Sequence, residues 1–127
     1  MKTSAASRNA MLDTLCALAN GGTISLYAGS QPASPETAAG STALVTNNLA
    51  ATAFAPAAAG VATAGAIADG VAVGAGTAGW FRIFTSGAVA IWDGTVGTSG
   101  ADLVLSSVAV EVGDTVSISS FTVTLPQ

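Results

Sequence analysis

The sequence predicts an all-β domain, a β-sandwich or jelly-roll-like fold of roughly eight strands, with one N-terminal α-helix. Three observations lead there. Turn residues recur at about eight- to twelve-residue spacing after residue 22. The stretches between them alternate in hydrophobicity or are rich in Val, Ile, Phe and Trp, which suit a pleated surface. Only residues 4–20 carry a helical period. At 127 residues the chain has room for one core, so it reads as a single domain over 1–127, with the helix in 1–22 and the sandwich in 23–127.

Met11, Leu12, Leu15, Cys16, Leu18 and Ala19 form the apolar stripe of the helix. Ser4 is placed to cap its start, and Asn20-Gly21-Gly22 stops it, because Gly and Asn accept the left-handed conformation. The stripe packs either on the domain's own sheet or on a neighbouring subunit. Residues 23–28 alternate, with Ile24 and Leu26 on one face. Residues 29–40, with Pro32, Pro35 and Glu36, form a loop long for a simple connection. Residues 43–49 are a further short strand.

Residues 50–79 are rich in Ala and Gly and allow two readings, an extended arm or strands with small side chains. Asp69-Gly70 suits a two-residue type I′ turn, which predicts a hairpin over about residues 61–77. Residues 80–92 predict a second hairpin turning at Ser86-Gly87. That register places Phe81, Ile83, Ala90 and Trp92 on one face and Trp80, Arg82, Phe84, Val89 and Ile91 on the other. Both faces are apolar, so the hairpin is expected to be covered on both sides, inside the sandwich or at a subunit interface.

Asp93-Gly94 reads as a tight turn and residues 97–102 as a loop. Residues 103–105 and 108–112 read as short strands, with Gly113-Asp114 turning the chain after them. In residues 115–125 the buried positions switch from Val116 and Ile118 to Phe121, Val123 and Leu125. That switch predicts a bulge or a bend between sheets at Ser119-Ser120, and Pro126 is expected to end the pairing.

Charged residues make up 8% of the chain and the net charge is −4, with Lys2, Arg8 and Arg82 the basic residues. A phosphate-binding surface needs clustered cations, so direct nucleic-acid binding is not expected. Cys16 has no partner for an intrachain disulfide and reads as a small buried helix residue. The N-terminal region lacks an apolar run of signal-peptide length, and no membrane-spanning helix is read, so assembly in the cytoplasm is expected.

No catalytic, cofactor-binding or metal-ligating residues are assigned, and the chain is read as a non-enzyme. There is no His to act as base or ligand. Of the acids, Asp69, Asp93 and Asp114 adjoin glycines where a short polar side chain shapes a turn. The glycine-rich run 70–79 has no Lys and follows no phosphate-loop pattern. Arg82 has two readings: an ion pair with Asp93 across the hairpin, or an anchor in an interface, where Arg and Trp concentrate. The candidate interface residues are Trp80, Arg82, Phe84 and Trp92 of the hairpin and Leu12 and Leu15 of the helix.

Several runs resemble small virion proteins of tailed double-stranded DNA bacteriophages. They are Asn20-Gly21-Gly22, Ile24-Ser25-Leu26-Tyr27-Ala28-Gly29-Ser30-Gln31-Pro32, Gly76-Thr77-Ala78-Gly79-Trp80-Phe81-Arg82-Ile83, Asp93-Gly94-Thr95-Val96-Gly97 and Ala101-Asp102-Leu103-Val104-Leu105. These are turn and strand motifs with no active-site residues among them. The resemblance implies a virion component, with a head decoration or cement protein the best fit. It would be a homo-oligomer (dimer or trimer) binding the major capsid protein or another virion protein, without nucleic acid or membrane. A tail, baseplate or head–tail component is the alternative. A second alternative is a carbohydrate-binding adhesion module, for which Trp80, Trp92 and Tyr27 are the candidate platform.

Overall fold

The computed structural model describes residues 1–125, so the role expected of Pro126 lies outside the described residues. The domain is all-β with one N-terminal helix, as the sequence predicts. Helix α1 spans Ala5–Ala17, and the Ser4 side chain caps it by accepting the Ser7 N–H. It ends earlier than the expected Asn20, because residues 18–20 tighten into i→i+3 hydrogen bonds. Gly21 then takes the left-handed conformation (φ 66°) and donates its N–H to Ala50 O, so the expected stop signal acts.

Ten strands follow among the described residues. They are β1 (Thr23–Ala28), β2 (Val45–Asn48), β3 (Val61–Thr63), β4 (Gly70–Val71), β5 (Gly76–Phe84), β6 (Ala90–Gly97), β7 (Leu103–Val104), β8 (Ala109–Val110), β9 (Thr115–Val116) and β10 (Thr122–Thr124). The main sheet runs β2-β1-β5-β6-β7, with β8 pairing the start of β5. Two ribbons, β3–β10 and β4–β9, complete the fold.

Register sorts the main sheet into two faces. Rows such as Asn47, Ile24, Ile83 and Trp92 run across four strands on the inner face. Val45, Leu26, Phe81, Val96 and Leu103 lie on the same face. The β3–β10 ribbon packs against it through aromatic contacts. Phe121, which precedes β10, meets Phe81 edge-on with ring centroids 5.3 Å apart, and Phe54 bridges Phe121 and Trp92. Leu12, Cys16 and Ala19 from the helix side join this core.

The expected hairpin at Asp69-Gly70 does not form. β3 instead pairs β10, and β4 pairs β9. Gly70 serves close packing: a Cβ there would lie 2.6 Å from Asn47 Oδ1, 2.7 Å from Val45 Cγ2 and 2.8 Å from Thr46 O. The type I′ turn lies earlier, at Ala59-Gly60, where both φ angles are positive and Ala58 and Val61 exchange hydrogen bonds. Asp93-Gly94 is likewise no turn but the middle of β6, and the Phe81 ring fills the space that a Cβ on Gly94 would take.

The Ala/Gly-rich segment is held against the body. Asn9 accepts the Gly60 N–H, Asp13 the Ala57 N–H and Asn20 the Ala53 N–H, at 2.8–2.9 Å. Alanine gives a partner little to grip, so the polar side of the helix grips the backbone instead. At the chain's other end the bend expected near Ser119-Ser120 carries it from the β4–β9 ribbon to the β3–β10 ribbon.

Gly70→Ala and Gly94→Ala should each cost about 1–3 kcal/mol by forcing atoms into filled space. Gly65→Ala, whose nearest neighbours are 3.7 Å away, should stay within about 0.5 kcal/mol of the parent. Urea unfolding midpoints at constant slope measure all three.

Candidate functional site

The outer face of the main sheet holds Trp80 and Arg82, two of the candidate interface residues. Trp80 stacks on Tyr27 across the β1–β5 pair, with centroids 4.3 Å apart and planes 14° apart. Arg82, two residues along, sits with its guanidinium 5.2 Å from the Trp80 ring centre. Directly opposite on β6 is Asp93. Arg82 Nε donates to Asp93 Oδ1 at 2.6 Å and Nη2 to Oδ2 at 3.0 Å, a two-point pairing that suits the planar guanidinium. Nη2 also reaches the Ser34 carbonyl at 3.4 Å, which places the loop after β1 over the pair.

Both charged side chains are at most 5% exposed. Hydrogen bonding to Asp93 holds the Arg82 guanidinium above its usual pKa. Glu36, exposed in the same loop, has its carboxyl held below the usual range. Its own backbone N–H and the Ser34 side chain do most of this, with Arg82 adding a smaller pull.

The hairpin register differs from the sequence reading, and the shift brings Asp93 from diagonal to directly opposite Arg82, so the expected ion pair forms. The loop is Ser86-Gly87-Ala88, with Ala88 left-handed (φ 64°) and Thr85 Oγ1 accepting the Gly87 and Val89 N–H groups. A further shift between Ile83 and Phe84 leaves Ile91 as the extra residue, so Ile83 faces Trp92 and Arg82 faces Asp93. Beyond that shift parity is preserved, with Phe81, Ile83 and Trp92 on the inner face and Trp80 and Arg82 on the outer one. Ala90, expected beside Ile83 on the inner face, instead pairs Phe84.

Of the candidate interface residues, Trp80 (1% exposed), Arg82 (4%) and Leu12 (0%) lie inside their own chain and offer no surface to a partner. The two-sided covering expected of the hairpin is supplied within the domain at these positions. Phe84, Trp92 and Leu15 are half-buried. Burial of Trp80 and Tyr27 also removes two of the three aromatics from any exposed glycan platform.

The helix stripe divides into two. Arg8, Leu12, Cys16 and Ala19 turn inward, while Met11 and Leu18 are exposed beside half-buried Leu15. With Ala10 and Thr14 they line a shallow, mostly apolar surface. A second exposed apolar face lies on the β4–β9 ribbon, at Val71, Val73 and Val112. The sequence hides this face, because Asp69-Gly70 signals a hairpin through Val71 and Val73 that does not form.

Among the described residues no group of three or more Cys, Asp or Glu is placed to hold a metal. Asp102 ties its own loop by accepting the Thr95 N–H, and Asp114 closes its turn by accepting the Glu111 N–H. Cys16 is buried, and burial, aided by the negative charge of Asp13, pushes its thiol up to about 11. Among the described residues no helix is long and apolar enough to cross a membrane. No family model, curated protein or solved structure matches the chain.

Asp93→Ala should destabilise the domain by about 3–5 kcal/mol, since it strands the buried Arg82 cation. The double variant Arg82→Met/Asp93→Leu should recover much of that loss in the same unfolding measurement. Cys16 should resist a thiol reagent at pH 8 in the native protein and react once urea unfolds it. Its raised folded pKa contributes stability that is complete below the ordinary value of 9.0 and lost as pH rises from there to about 11. A Cys16→Ala variant should lack that loss in melts across the same range.

Proposed function

We propose that the chain is a structural subunit of a tailed-phage particle, and within that class a decoration or cement protein that binds the assembled head. The observation that carries this reading is the surface left over after folding. Met11, Leu18, Val71, Val73, Val89, Val104 and Val112 are 46–71% exposed, although the domain has enclosed its aromatic core. Apolar surface of this kind on a charge-poor domain fits repeated contact with other protein.

The remaining charge supports the same reading. Two of the three basic side chains, Arg8 and Arg82, are buried, and Lys2 is exposed. A shell protein with this surface would not compete for the packaged genome. Its action would be mass action: a subunit that binds the assembled shell, and not the disassembled one, stabilises the shell. A dimer or trimer bridging neighbouring capsid subunits is the form expected, with Met11, Leu15 and Leu18 available for self-contact.

Heads assembled without this chain should release DNA at a lower temperature than complete heads, and added purified protein should restore the difference. Equal release temperatures would overturn cementing. Electron microscopy should find the protein spread over the head lattice, and density confined to the tail would favour a tail component instead.

A further inference from the structure

We infer that the outer side of the β4–β9 ribbon docks a basic protein surface, an inference that rests on reading the chain as a docking subunit. Ala72 is buried and accepts the Gly113 N–H, while its own N–H reaches Asp114 O. Strand alternation therefore turns Val71 and Val73 outward together, and they are 62% and 71% exposed. The same two hydrogen bonds bring the turn 111–114 alongside, with Val112 68% exposed. Three branched apolar side chains thus stand on one short, hydrogen-bonded ribbon, where little ordering is needed before binding.

Charge decides the occupant. Asp69 precedes β4, and Glu111 and Asp114 flank the turn, and all three are exposed. No basic residue of this chain lies in or beside these segments. Across the described residues six acids are exposed against one base, Lys2. A second copy presenting the same face would set acid against acid, and nucleic acid or an anionic membrane would be repelled. A protein surface with an apolar centre and a Lys/Arg rim complements both the valines and the carboxylates.

The test uses the full chain and two probes, heads assembled without it and isolated tails. Val73→Lys and Glu111→Lys should each weaken binding at least about tenfold. Ser99→Lys, exposed in the β6–β7 loop, should stay within about twofold. Wild-type binding should weaken with added salt, and Glu111→Lys should flatten that dependence. Unchanged unfolding midpoints show that each variant folds. If wild type binds heads and both face variants bind equally well, this face is wrong while the docking reading stands. If wild type binds tails alone, the head assignment falls and the same variants judge the face there. A wild-type chain that binds neither particle overturns both.

Discussion

Strand β5 can hold a cation at its centre only because β6 delivers a carboxylate to the same spot. Arg82 is covered by the sheet beneath, by Trp80 beside it and by the loop carrying Ser34. An isolated guanidinium in that position would cost several kcal/mol of desolvation. Asp93 meets it squarely because the hairpin loop has three residues and Ile91 is extra. One irregularity therefore does two things: it pairs the charge on the outer face and aligns Trp92 with Ile83 on the inner face. Slippage by one residue would exchange these faces and leave both wrong.

The parts of this fold legible in the sequence are those written in local periodicity. Ser4, Gly21 and the alternation of Ile24 with Leu26 act as their positions indicate. The face switch near Ser119-Ser120 was legible for the same reason, since period-two alternation changes phase there. Glycines were the main source of error. A Gly after an Asp signals a turn, but at Gly70 and Gly94 the missing Cβ makes room for Asn47 and Phe81. The partner that needs the space is remote in sequence, so no local pattern shows it. Arg8 lengthens the inner stripe of the helix without announcing it, because a charged residue is buried in step with Leu12 and Cys16.

The candidate surface was less legible than the core. An aromatic and an arginine at Trp80 and Arg82 suggested contact with a partner, and the domain has used them for itself. What it leaves outside is plainer: valines, two methionines and one leucine. Exposure depends on which segments pair, and the pairings of β3 with β10 and β4 with β9 join distant parts of the chain. Residues 50–79 illustrate the cost of small side chains. Their side chains are small, and between residues 53 and 60 it is Asn9, Asp13 and Asn20 that hold the backbone, each accepting one N–H.

The late position of β9 and β10 has a consequence for how the chain matures. Helix α1 rests on β3, whose only ladder partner among the described residues is β10, and β4 waits for β9 in the same way. The nascent chain can form the β1–β5–β6 sheet while its inner face is still uncovered. Phe121 closes that face only after the chain up to β10 has been made. Pairing across such long loops is slow relative to local hairpins. An incomplete chain would thus present Phe81 and Trp92 to the cell, and synthesis reaching residue 121 is what separates an adhesive intermediate from a finished subunit.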